Sequence, residues 1–284
     1  LTLPPQPYTG PRISPDGTRI AVTLGLVSAN NSDIWIYDLN TAAFNRFTFT
    51  QRDFAPIWSR NGKELYYSSG VTGKGVMAKS ADGSSPAKVL LAKSGPIFPI
   101  AVSPDEHEIT LNTATGASEG DLYLLDTRGG KDLMTILDTP DYEYGGAISP
   151  DGRYLLYGSG ETGRLEVYIS TYPDLKGKWQ ISENGGLSPI WSPNGREVFY
   201  VSTVGKMMSV SLERNGTLRP GKPRELFDAS QMLFPNSPIT NYDVAPDGQK
   251  FIMVRSVRSA AGITAFNVIL NWTGELQSHI GVSD

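Results

Sequence analysis

The sequence predicts an all-β fold, a six-bladed β-propeller of four-stranded antiparallel blades closed into a ring by a terminal strand. Two observations carry this. A four-residue turn recurs six times along the 284-residue chain: SPDG at 14–17, SRNG at 59–62, SPDE at 103–106, SPDG at 149–152, SPNG at 192–195 and APDG at 245–248. The intervals run from about 43 to 53 residues, and each holds several short runs of β-branched and aromatic residues with no sustained helical period. Four strands repeated at roughly 40–45 residues is the pattern of a propeller, so residues 1–284 are expected to form one domain.

Each unit justifies its elements in the same order. Within the turn, Pro presets φ at the second position, Asp or Asn suits the third, and Gly accepts positive φ at the fourth. The runs RIAVTL, ELYYSS, EITLNT, YLLYGS, EVFYVS and KFIMVR follow the six turns. After a Gly- and Ser-rich loop come DIWIYDL, GVMAKS, DLYLLDT, LEVYIS, MMSVSL and FNVILNW. A third run, NRFTFT, KVLLA, MTILD, KWQIS or RELFD, leads towards the next unit. Short segments ending in residues such as Trp58, Ile148 and Trp191 run into the turns. A single blade cannot bury both faces, so neighbours must stack around an axis. Leu1–Leu3 is expected to complete the outer edge of the last blade, with ELQS near the C-terminus as the alternative.

Composition narrows the function. Apolar residues make up 39% and charged residues 19%, with net charge −4, too mild to indicate nucleic acid. There are no cysteines, which removes disulfides, thiolate catalysis and Cys-based zinc sites and suits an oxidising compartment. No apolar run approaches the roughly 18 residues of a membrane helix. The chain starts at Leu1 without an initiator Met or a basic leader, as expected of a trimmed or mature polypeptide.

Once aligned, FAPIWSRNGKELYYSS and LSPIWSPNGREVFYVS resemble the WD-repeat-like blades of TolB-type propellers over essentially the whole chain. The ending FNVILNWTGEL is similar to the propeller at the C-terminal end of bacterial receptor-like serine/threonine protein kinases. The resemblance implies an extracytoplasmic module that binds other proteins, possessed of no kinase motif of its own. The chain departs from the pattern at Arg60, Glu106 and Ala245.

Several motifs suggest chemistry and lack its context. GASEG around Ser118 mimics a nucleophile elbow, but the strand-to-helix turn is missing and His107 and His279 are the only histidines. GSGETG at 158–163 precedes a strand, not the helix a dinucleotide needs. GTLRPGKP at 216–223 has Pro223 where a magnesium-binding hydroxyl belongs. DEHEI at 105–109 falls in a scaffold turn, and Asp33, Asp38, Asp121 and Asp126 read as loop hydrogen-bonding partners. Trp35, Trp58 and Trp191 are expected between blades. No catalytic residue, metal site or cofactor is expected.

Function is expected on the face opposite the turns, where loops enter each inner strand. Counting back from each turn gives Tyr8; Arg52, Asp53 and Phe54; Phe98; Tyr142, Glu143 and Tyr144; Leu187; and Asn241 and Tyr242 as the channel mouth. The loops Gly25–Ser32 and Val257–Ile263, with Arg255 and Arg258, share this face. Such an aromatic set suits a protein or peptide partner, with carbohydrate as a second possibility. A monomeric, non-catalytic binding or sensor module is the leading expectation. The alternative is a polysaccharide lyase or glycosidase using Asp53 and Glu143, which a carboxylate separation of roughly 5–10 Å would support. A third is a purely structural sensor domain whose ligand arrives in company with an attached domain; the bland reading of the aromatic set is that it plugs the channel.

Overall fold

The computed structural model describes residues 3–27, 30–113, 120–128, 132–137, 139–214, 216–232, 239–256 and the backbone of strand 264–270. The described chain is built of strands β1–β24, with no α-helix. No helix is long and apolar enough to cross a membrane among these residues.

The strands form antiparallel sheets arranged as a propeller. The first four blades are β1–β4 (Tyr8–Ile13, Arg19–Leu26, Asn31–Asp38, Phe44–Arg46), β5–β8 (Asp53–Trp58, Glu64–Ser69, Val76–Ser80, Lys88–Leu91), β9–β12 (Ile97–Val102, Glu108–Thr113, Leu122–Asp126, Leu133–Leu137) and β13–β16 (Glu143–Ile148, Tyr154–Ser159, Glu166–Thr171, Lys178–Gln180). The fifth runs β17 (Gly186–Trp191), β18 (Glu197–Ser202) and β19 (Lys206–Glu213), with β21 (Arg224–Asp228) on the outside and the two-residue β20 (Arg219–Pro220) on the end of β19. The sixth repeat gives the three-stranded sheet β22 (Tyr242–Val244), β23 (Lys250–Ser256) and β24 (Thr264–Leu270). Among the described residues the expected count of six four-stranded blades is therefore corrected to five complete blades, with the sixth repeat giving a three-stranded sheet. The expected closing strands, at 1–3 and at ELQS, lie outside the described residues except for Leu3. That residue packs against the cluster of Tyr8, Ile20, Val22, Ile252 and Val254.

The turn repeats as its chemistry dictates. The fourth-position N–H donates to the first-position carbonyl in every case, as Gly17 to Ser14 at 2.8 Å and Gly248 to Ala245 at 2.8 Å. Glu106, which replaces Gly, still takes φ 63° and donates to Ser103 at 3.0 Å. In blade 4 the Ser149 hydroxyl donates to Asp151 Oδ1 at 2.6 Å and accepts from Tyr154 N at 3.0 Å, tying the third turn residue to the strand beyond.

The apolar core lies between sheets. Ile34, Trp58 and Leu65 join the first two, Val198 and Trp191 pack on Leu156 and Ile169 further round, and Tyr8, Ile20 and Val22 meet Ile252 and Val254 where the last sheet meets the first. The two repeat-equivalent tryptophans use the same bond. Trp58 Nε1 donates to the Arg12 carbonyl at 2.9 Å and Trp191 Nε1 to the Ala147 carbonyl at 2.8 Å, each reaching the inner strand of the preceding blade. They are packing residues, as their spacing predicted.

Candidate functional site: the central channel

The inner strands have one free edge, facing the channel. Five of them carry a bulge of one extra residue: between Thr9 and Arg12, Phe54 and Ile57, Pro99 and Ala101, Gly145 and Ala147, and Leu187 and Ile190. Three of the bulges hold a proline (Pro11, Pro56, Pro189) and Pro99 flanks a fourth, which costs no ladder hydrogen bond at a free edge. β22 pairs with β23 straight through.

Beyond the bulges the channel widens into a cavity of about 360 Å³ opening on the turn face, lined from all six inner strands. The position two before each turn sets its floor: Ile57, Ala101, Ala147 and Ile190 are apolar, while Arg12 and Asp243 face each other's strands across the junction of the last and first sheets. Turn residues Pro15, Pro150, Pro193, Pro246 and Arg60 make the rim. Arg12 Nη1 donates to the Pro11 carbonyl at 2.8 Å and the Thr240 carbonyl at 2.9 Å. Asp243 Oδ2 accepts from Ile13 N and Oδ1 from Val244 N. Desolvation pushes the Arg12 pKa down and that of Asp243 up, and each charge partly offsets the other's burial. The product is an apolar cup whose floor carries one cation and one anion on a single side, with a second cation, Arg60, on the rim.

The opposite end is shut. Phe54 and Phe98, ring centroids 5.8 Å apart, cluster with Ala55, Val27, Ile100 and Ile239. The gap beneath them, between Gly10, Pro56, Pro99 and Arg12, holds no space for a water. The residues expected at the channel mouth lie here, at and just before the starts of the inner strands. Tyr8, Asp53, Phe54, Phe98, Glu143, Tyr144, Leu187, Asn241 and Tyr242 are all buried. Tyr144 OH donates to the Gly186 carbonyl, and Tyr242 OH to the Ser188 carbonyl at 2.7 Å. Asn241 Oδ1 accepts from Gly10 N at 2.8 Å. Burial raises the pKa of both tyrosines, so they stay neutral donors. Tyr142 is half-buried and stacks on Tyr144 at 5.7 Å, and Arg52 is exposed. Most of the set fastens one blade to the next.

Asp53 and Glu143 are each 1% exposed, in different blades, so neither offers a carboxylate to a substrate in solvent. Glu143 Oε1 accepts from Thr139 at 2.6 Å and Ser159 at 3.2 Å. Asp33 accepts from Arg46, Thr48 and Gln51 N, and Asp126 from Arg128, the loop partnerships expected of them. GSGETG is a hairpin turn closed by Gly163 N on the Gly160 carbonyl. Ser118, Arg258, His279 and the loop 257–263 lie outside the described residues. No group of three or more potential metal-ligating His, Asp or Glu occurs among the described residues.

Sequence analysis missed Asp243 and the turn-face cup, although the signal was present. Aligned on the turn, the position two before it is apolar four times and charged only at Arg12 and Asp243.

The sequence matches no protein-family model and no curated protein. Its structure is similar to solved propellers. A protein assigned as TolB from Agrobacterium tumefaciens superposes with TM-score 0.69 at 18% identity, covering 94% of this chain and 91% of that one. TolB from Acinetobacter baumannii gives 0.60 at 21% identity, over 77% of this chain and 56% of that one. An oligogalacturonate lyase in complex with manganese gives 0.61 at 14% identity, over 95% and 76%. At these identities the likeness establishes the propeller fold.

Proposed function

We propose that the chain is a non-catalytic, extracytoplasmic binding module that takes an extended segment of a partner protein into the turn-face cup. The observation that carries this is the cup itself: about 360 Å³, rimmed by prolines, apolar on four sides and charged on one. Apolar concavities with a few fixed polar groups are the common form of a binding site. A side chain of the partner would fill the space over Ala101 and Ala147, with its polar backbone or terminus turned to Arg12 and Asp243. The TolB-like neighbours fit a protein-binding role and an extracytoplasmic location. In the receptor-kinase arrangement that the chain's ending resembles, the same cup would be the sensing surface. Asp243 is the one carboxylate among the cup's described lining residues, whereas glycoside hydrolysis by paired acids needs two. Binding is therefore the better reading than glycoside hydrolysis.

The test is to select binding peptides by display on the wild-type protein and re-measure them on Ala101→Phe, which fills the cup from a half-buried position. Affinity should fall at least tenfold with the melting temperature little changed. Peptides that bind the variant as tightly as wild type would place recognition elsewhere.

A further inference from the structure

Asp53 is the one acid at its kind of position that finds no partner. It opens β5, directly opposite Ser69 at the end of β6. Glu143 opens β13 opposite Ser159 in the same register. Glu143, one methylene longer, reaches both Ser159 and Thr139. Asp53 reaches nothing: neither carboxylate oxygen has a hydrogen-bond partner, nor has Ser69 Oγ, and the two residues are 1% and 4% exposed.

The surroundings are oxygen-rich. The hydroxyls of Ser69, Thr50 and Thr48 stand close enough to favour the charged form of Asp53, yet none meets hydrogen-bond geometry with it. The Thr48 hydroxyl gives its proton to Asp33 Oδ1 at 3.0 Å and accepts from Ile34 N at 2.9 Å, which leaves one lone pair but no proton for Asp53. Asp33 is itself neutralised by Arg46, and its residual field opposes ionisation of Asp53. Lys79 Nζ feels the Asp53 charge but is spent on the Phe47 carbonyl at 2.8 Å. A buried, uncompensated carboxylate costs several kcal/mol. A water could satisfy its lone pairs but not its charge.

We propose that Asp53 holds a small hard cation, calcium being the best fit, with hydroxyl oxygens of Ser69, Thr48 and Thr50 completing the oxygen shell. Calcium accepts such ligands in flexible geometry, and a site with a single free carboxylate belongs to the weak regime of about 10⁻⁴–10⁻³ M. The ion would pin the loop leaving the first blade, which carries Thr48 and Thr50, to β5 and β6 of the second. This site lies apart from the turn-face cup, and its failure would leave the binding proposal untouched.

The experiment uses the whole chain, stripped with EDTA and exchanged into choline chloride at neutral pH. Titration with CaCl₂ to about 5 mM, above the weak range, should raise the melting temperature saturably, and equilibrium dialysis should find one bound calcium per chain. Asp53→Asn should lose both, while Glu143→Gln keeps both. Should Asp53→Asn not fold, Ser69→Ala retains the carboxylate and should bind calcium at least tenfold more weakly. A saturable shift with sodium replacing choline, lost in Asp53→Asn, also supports the site, with a monovalent occupant. A wild-type melt unmoved by either ion overturns it, as does an Asp53→Asn response equal to wild type or an unchanged affinity in Ser69→Ala.

Discussion

Serine at the first turn position carries at least two side-chain hydrogen bonds per blade, and the sixth repeat shows what its absence leaves. In blade 4, Ser149 is fully buried, donates to Asp151 and accepts from Tyr154 N. The sixth turn has Ala245, so Asp247 Oδ1 accepts from the Gln249 N–H at 2.8 Å but has no first-position hydroxyl to accept from. Ser149→Ala should cost about 1–2 kcal/mol, because the Tyr154 N–H and Asp151 each lose a partner where water enters poorly. Ala245→Ser should do the reverse and add about 0.5–1 kcal/mol, since the turn is already folded to receive the hydroxyl. Urea denaturation of the two variants measures both. Equal and unchanged midpoints would mean that the backbone turn holds without its side-chain tie.

The inner strand is where reading and structure part, and the bulge is the reason. Turn chemistry is local, so SPDG and its variants announced the repeats, the strand order and the equivalence of Trp58 and Trp191. Counting residues back from the turn assumes strict alternation, and one extra residue reverses which side chains face the neighbouring blade. Phe54 and Tyr144 thereby turn inward, whereas Tyr242, on the unbulged β22, is buried against the neighbouring blade. Burial also depends on the next blade, which no single repeat displays. The bulge itself is testable at its positive-φ residue, Gly10 in blade 1 (φ 59°) and Ala55 in blade 2 (φ 52°). A Cβ on Gly10 would sit 2.7 Å from Ile239 Cγ2, so Gly10→Ala should lose about 1–3 kcal/mol from overpacking and backbone strain. Ala55→Gly trades relief of left-handed strain against one buried methyl, each worth roughly 1 kcal/mol, and should be near neutral. A Gly10→Ala protein as stable as wild type would show that the inner strand can shed its bulge.

Across the whole ring the carboxylates divide into two populations with opposite effects on stability against pH. Those in exposed turns are held below the usual range by hydrogen bonds: Asp16 by the Ser14 hydroxyl, Asp82 by Ser80 to about 2, and Asp126 by Arg128 to about 2. Their contribution is present above the ordinary carboxylate pKa and lost as pH falls through the lowered values. Asp53, Glu143 and Asp243 are raised, chiefly by desolvation. Their contribution is complete below the ordinary value of about 4 and lost as pH rises through the raised ones. Exposure and screening make the first population weak, so the buried group should dominate once pH rises above the ordinary carboxylate value. In EDTA the melting temperature should therefore fall as pH rises from the carboxylate range towards pH 8, against the usual neutral optimum. Replacing both Asp53 and Glu143 by their amides should flatten that limb by a few degrees, about 2 °C for each kcal/mol in a chain of this size. Calcium should restore the alkaline side of the wild type through Asp53 alone, and leave the slope owed to Glu143 in place. A metal-free melt that climbs steadily to pH 8, unchanged in the double amide, would mean that the blades already compensate these charges.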